Sequence, residues 1–283
     1  MIRATLTLLF VLGAQPAFAG KGADGPARDP DQYSVPYGAD PHQVLDLYLS
    51  HAPGPHRLVV FAHGGGFEHG GKGPGRFLAP ALNDAGYVLA SVNYREVPAV
   101  DVAQSVGDVA QAAAFLLRHA AYYHIDPHGF AVAGHSSGAH IAALLGTDPA
   151  YMQRAGIDPG SVRAVLALDG VYDVTANLTE YPTAQRFAVF GHDPANWRAF
   201  SPTEIVRATP MHPRFCVAHE DTKARQLEQA NLFIAALRAH GAALETLNAP
   251  GFTHSEMAKL FSDRKQPVGP FAIACLDRGF AGK

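Results

Sequence analysis

The sequence predicts a single α/β domain, a mostly parallel β-sheet covered by helices on both faces. Three observations carry this expectation. Short, almost wholly apolar runs such as Leu58–Ala62 (LVVFA) and Val162–Leu168 alternate with segments of helical period. Continuous apolar character, unlike the apolar/polar alternation of a half-exposed strand, marks strands buried on both faces, as parallel strands are. The 283 residues are ample for one large core, while the two cysteines, Cys216 and Cys275, are too few for a disulfide scaffold or a four-cysteine zinc site.

The elements follow in order. Residues 1–19 (MIRATLTLLFVLGAQPAFA) place Arg3 before an apolar run, Leu6 to Leu12, and end in the small-x-small site Ala17-Phe18-Ala19. That is the layout of a secretory signal peptide, with an apolar stretch too short to span a bilayer. The expected mature chain, 20–283, is exported to the periplasm or medium. A Gly/Pro/Asp-rich lead runs to about residue 32, and Val44–Leu49 alternates weakly, as an early antiparallel strand does. Leu58–Ala62 and Tyr87–Val92 are buried-strand runs. Val102, Val106, Val109, Ala113 and Leu116 recur at steps of four and three, the spacing of one helix face. Phe130–Ala133 is a strand followed by a Gly-flanked turn and an Ala/Leu-rich helix to about Leu145; Val162–Leu168, Arg214–Ala218 and Leu244–Leu247 are strands, with a helix at Ala224–His240.

Residues 171–213 break this rhythm and hold the only tryptophan, Trp197. An insertion after a strand's carboxyl end sits where such sheets bind ligands, so a small cap is expected. Cys216 and Cys275 both lie in apolar contexts and are expected as buried, unpaired thiols. The 22 basic and 25 acidic residues nearly cancel to a formal charge of −3, which argues against nucleic-acid binding. No stretch beyond the leader approaches the roughly 18 apolar residues of a membrane span.

The chemistry concentrates in two motifs. Gly134-His135-Ser136-Ser137-Gly138 lies between a predicted strand and a predicted helix. A serine there stands on a sharp turn above the sheet edge, and glycines two residues either side keep that turn uncrowded. His63-Gly64-Gly65-Gly66-Phe67 follows the LVVFA strand. A glycine run lets backbone N–H groups approach a developing oxyanion. Gly65, Gly66 and Ser137 are therefore expected to supply the oxyanion hole, with His63 bracing the loop. Phe67, His135 and Trp197 are candidate pocket walls, and Arg95 and Asp108 structural partners. The 15 histidines include no HExxH and no recognisable ligand spacing, so no metal is expected.

HGGGF, the NYR of Asn93–Arg95, Asp108–Pro127, AVAGHSSGAH (Ala131–His140) and the opening Val35–Leu49 together resemble the α/β-hydrolase esterases with an HGGG oxyanion loop. Within these the chain is similar to the bacterial carboxylesterases that overlap the hormone-sensitive-lipase-like, feruloyl-esterase-like and kynurenine-formamidase-like groups, over roughly residues 33–260. The resemblance implies the α/β-hydrolase fold, a Ser–Asp/Glu–His triad in that chain order, and no cofactor. His254, after the last strand, fits the base. For the acid, the family's H-G-x-x-D pattern aligns Ala218 with the glycine and Asp221 with the acid; Glu220 stays an alternative because the glycine is missing, and Asp169 reads better as a turn residue. The expected activity is cleavage of small carboxylic esters through an acyl-enzyme. Short acyl chains are expected, since too few residues precede the LVVFA strand for a large N-terminal cap. An aryl formamide, or acetyl or feruloyl groups on polysaccharide, are alternative substrates of the same site. A serine exopeptidase and a non-catalytic binding module are more distant readings.

Overall fold

A computed structural model describes residues 24–206 and 213–282; the expected leader, residues 1–19, lies outside the described residues. Nineteen strands and α-helices follow one another along the described chain. The first half comprises β1 (Gln32–Pro36), β2 (Val44–Tyr48), β3 (His56–Ala62), α1 (Gly75–Asp84), β4 (Tyr87–Val92), α2 (Val102–Arg118), β5 (Ile125–His135), α3 (Ser137–Thr147) and α4 (Pro149–Arg154). The second comprises β6 (Val162–Leu168), α5 (Val174–Glu180), α6 (Ala184–Phe190), α7 (Pro194–Ala199), α8 (Pro202–Ile205), β7 (Arg214–Glu220), α9 (Ala224–Ala239), β8 (Leu244–Ala249), α10 (Glu256–Lys259) and α11 (Val268–Ala281). The strands form one sheet in the order β1-β2-β4-β3-β5-β6-β7-β8. β1 and β2 pair antiparallel, and every pairing from β4 to β8 is parallel. This is the α/β-hydrolase fold.

The central strands bury both faces because their apolar residues supply both faces. In β3, Leu58, Val60 and Ala62 enter the core under α2, α3 and α9, whereas Val59 and Phe61 enter the opposite core under α1 and α11. β7 divides in the same way, with Phe215 and Val217 on the first face and Cys216 and Ala218 on the second. The period of two along each strand thus builds two cores on one sheet. Asp101 opens α2 with a capping box, its side chain accepting from the Gln104 N–H while the Gln104 side chain accepts from the Asp101 N–H. Arg95 and Asp108, expected as structural residues, form an ion pair with each other, through Nε at 2.9 Å and Nη2 at 2.7 Å. β1 has no clear signal in the sequence, being short and partly exposed at the sheet edge.

One expectation is overturned here. Cys216 and Cys275 are joined in a disulfide, with Cα atoms 6.0 Å apart, across 59 residues of sequence. Each thiol is in an apolar context, as expected, but both contexts belong to the same core layer. The inward face of α11 is laid on the face of β7 that carries Cys216. Among the described residues no helix is long and apolar enough to cross a membrane.

Candidate active site

β5 ends at His135 and α3 begins at Ser137, so Ser136 is the hinge between them, with φ 58° and ψ −121°. A positive φ on a non-glycine residue is strained, and such strain gathers where function demands it. The flanking glycines are explained by close approach. A Cβ at Gly134 would lie 2.0 Å from the Gly138 carbonyl oxygen, and one at Gly138 would lie 2.0 Å from the Ala62 oxygen. The elbow therefore closes against its own helix and against the end of β3.

The glycine loop after β3 reaches the same point. A Cβ on Gly64 would stand 2.9 Å from the Ser136 Cβ, so the loop passes directly beside the serine. Gly65 and Gly66 have φ of 139° and 66°, values open to glycine at little cost. His63 braces the loop as expected. Its ring stacks on Tyr94 at 4.4 Å, its Nδ1–H donates to the Gly64 carbonyl, and the Tyr94 hydroxyl donates to the His63 carbonyl. Burial pushes the His63 imidazole down to about 4, leaving it a neutral strut. The N–H groups of Gly65, Gly66 and Ser137 donate to no other group among the described residues. Ser137 opens α3, where the positive end of the helix favours negative charge.

His254 follows β8 and α10 follows it. Its Nδ1–H donates to the Oδ2 of Asp169, whose side chain is fully buried. That bond sets the tautomer and leaves Nε2 as a free acceptor on the opposite edge of the ring. Asp169 is the residue immediately after β6, at φ 54°, a left-handed conformation that aspartate tolerates better than most residues. Its N–H donates to the Ala218 carbonyl at 2.8 Å, and its Oδ1 accepts from the Glu220 N–H at 3.3 Å. The carboxylate is thus held from the neighbouring strand.

The expected acid is placed elsewhere. Asp221 Oδ1 accepts from the Gly251 N–H at 3.3 Å, bracing the turn that leads to His254 without meeting the imidazole. Glu220, the alternative, is fully buried. Its Oε2 accepts from the N–H and hydroxyl of Thr222 and from the Lys223 N–H, which turns β7 into α9. Asp169, expected as a turn residue, is not set apart by chain order, since Ser136, Asp169 and His254 run in the same order as the set with Asp221. The available signal was its position at the carboxyl end of the strand beside β5.

Ser136 opens onto a cavity of about 160 Å³ whose walls include Phe67, Val189 and Phe190, with Gly66 and Ser137 beside the serine. Residues 171–206 form α5–α8 and supply one side of it, through Val171, Asn177 and the α6 side chains. Phe67 lines the cavity as expected; His135 and Trp197 do not. Trp197 turns into the insertion, its Nε1–H donating to the Gly191 carbonyl at 2.9 Å and its ring 6.0 Å from Phe187. His135 lies behind the serine, its Nε2–H donating to the His254 carbonyl at 2.7 Å and its ring 4.5 Å from that of His254. Burial first, and the neighbouring His254 second, push His135 down to about 4. Burial alone does the same to His140 in the cavity wall. Among the described residues no group of three or more His, Cys, Asp or Glu side chains is arranged to hold a metal ion.

Comparison with known proteins agrees with this architecture. The chain is 27% identical over 242 residues to an Arabidopsis thaliana protein named probable isoprenylcysteine alpha-carbonyl methylesterase, covering 79% of this chain and 51% of that one. It is 32% identical over 227 residues to esterase LipC of Mycobacterium tuberculosis, covering 72% of this chain and 54% of that one. The chain thus spans about half the length of the curated relatives it matches. A solved structure described as a truncated form of carbohydrate esterase from gut microbiota superposes with a TM-score of 0.77 at 19% identity, covering 91% of this chain and 99% of that one. The profile of the BD-FAE family matches residues 45–237, well over half of the sequence, and the chain belongs to that family.

Proposed function

We propose that this protein is a serine hydrolase of small carboxylic esters, with Ser136 as nucleophile, His254 as base and Asp169 as the acid that orients it. The observation that carries the reading is the His254–Asp169 pair beside the strained Ser136 elbow, facing unengaged backbone N–H groups. In the first half-reaction His254 Nε2 takes the Ser136 proton as Oγ attacks the ester carbon. The oxyanion is held by the N–H groups of Gly65, Gly66 and Ser137. The intermediate then collapses, and the imidazolium returns the proton to the departing alcohol. Water, activated by the same histidine, releases the acid from the serine. Asp169 stays ionised throughout, offsetting the imidazolium charge.

The cavity of about 160 Å³, walled by Phe67, Val189 and Phe190, supports a preference for short acyl chains. The relatives named as esterases support the ester reading. The test is hydrolysis of p-nitrophenyl acetate, butyrate and octanoate by the wild type beside Ser136→Ala. Activity on the short esters that falls by on the order of 10⁶ in the variant is expected. Equal turnover by the two proteins, or a maximum at octanoate, would reject the corresponding part of the reading. Export follows from the leader-like residues 1–19, and the Cys216–Cys275 bridge supports it. N-terminal sequencing of the protein from its host is expected to begin near Gly20.

A further inference from the structure

Two arginines enter the wall of the Ser136 cavity, Arg186 from α6 and Arg225 from α9. Neither forms an ion pair among the described residues. Arg186 donates to the Tyr181 carbonyl, and Arg225 donates only to the Asn177 Oδ1, at 3.3 Å. Among the described residues no Asp or Glu lines the cavity. The nearby carboxylates have other work: Asp169 holds His254, and Glu220 holds the start of α9.

Stability does not explain this arrangement. Arg225 stands in the first turn of α9, where the helix end disfavours a cation. It is half-buried, and burial first, then repulsion from Arg186, pull its pKa below the ordinary guanidinium value, with Asp169 and Glu220 offsetting only part of that shift. Two like charges facing one small cavity, with no carboxylate in ion-pair contact with either among the described residues, cost free energy in the unliganded protein. A guanidinium fork matches the two oxygens of a carboxylate, and a ligand anion would relieve both the desolvation and the repulsion.

We infer that the preferred substrates are esters carrying a free carboxylate, which Arg186 and Arg225 hold while Ser136 attacks the ester carbon. This deepens the esterase reading and rests on it. The carboxylate can sit on the acyl part or on the alcohol part of the ester, and the two sources are separable by experiment.

The test compares kcat/KM, followed by proton release, for monoethyl succinate and monoethyl glutarate against ethyl butyrate, and for O-acetyl lactate against ethyl acetate. A preference of about tenfold or more for the anionic ester in either series is expected, the scale of one charge-assisted contact. That preference should shrink as salt is raised, while the neutral ester is little affected. In Arg225→Gln and Arg186→Gln the anionic-to-neutral ratio should fall towards one. The wild-type ratio decides the matter even where a variant fails to fold. Faster hydrolysis of the neutral esters in both series overturns this inference and leaves the esterase reading standing. No hydrolysis of any ester, with the wild type indistinguishable from Ser136→Ala, overturns both.

Discussion

The carboxyl ends of β6 and β7 lie side by side in the sheet, and each carries a buried carboxylate. At the end of β6, Asp169 spends one oxygen on the His254 ring and the other on the Glu220 N–H. At the end of β7, Glu220 spends one oxygen on three hydrogen bonds from Thr222 and Lys223 of its own chain. Asp221, beside it, faces the backbone of Gly251. One strand end therefore points across the molecule at the candidate base, and the other folds back to start a helix. What differs is the geometry of the partner rather than the chemistry of the acid: β6 adjoins β5, the strand that leads into Ser136, whereas β7 is one strand farther away.

Breaking the β6 end should have the largest effect. Asp169→Asn keeps the shape but removes the charge and offers the imidazole a donor where it needs an acceptor. Turnover should fall on the order of 10⁴-fold with KM little changed, read by steady-state kinetics. If Asp221→Asn or Glu220→Gln caused the larger loss instead, the assignment of the acid to β6 would be wrong.

The β7 end should reveal itself through stability. Reducing the Cys216–Cys275 bridge releases a 59-residue loop, which by the chain-entropy model lowers stability by about 4 kcal/mol. Denaturant unfolding with and without reductant measures this, and protein that stays folded after reduction should turn over substrate as before.

Acid should act on the β3–β5 side of the site. His63, His135 and His140 are each pushed by burial to about 4, below the roughly 6.5 of an exposed imidazole. The unfolded chain takes up these protons first, so this part of the stability is intact above about pH 6.5 and is lost as the pH falls towards 4. The loss is on the order of 3 kcal/mol per histidine at its limit. Unfolding free energies measured from pH 7 to 4 that stay level would contradict the buried, neutral assignment.

Two smaller effects complete the contrast. Glu220→Gln replaces a charged acceptor at the start of α9 and should cost about 1–3 kcal/mol of stability. Asp221→Asn keeps an oxygen for the Gly251 N–H, so its stability should change by no more than about 0.5 kcal/mol.

Much of the molecule is legible in its residues. The runs LVVFA and VRAVLAL can satisfy their backbone and bury their side chains only inside a sheet covered on both faces. Gly134 and Gly138 announce the elbow because no side chain fits where their chains touch Gly138 and Ala62. The HGGG run announces a loop whose backbone passes close to Ser136 for the same reason. Steric demands of this kind are local, so they leave a local signature.

The remainder depended on which distant segments become neighbours. Residues such as Asp169, Glu220 and Asp221 are all acids at strand ends, and nothing within a few residues of each tells which one meets an imidazole 85 positions away. Cys216 and Cys275 are each surrounded by apolar residues, which suits a buried thiol as well as half of a disulfide. Trp197 could face a cavity or close a turn. The layers, the Gly134–Gly138 elbow and the Gly64–Gly66 loop beside it are written in the residues themselves, because excluded volume and the burial of apolar side chains act along the chain. The pairing of Asp169 with His254, the Cys216–Cys275 disulfide and the meeting of Arg186 and Arg225 in one cavity wall come from strand order and helix docking, which bring together groups that share no local pattern.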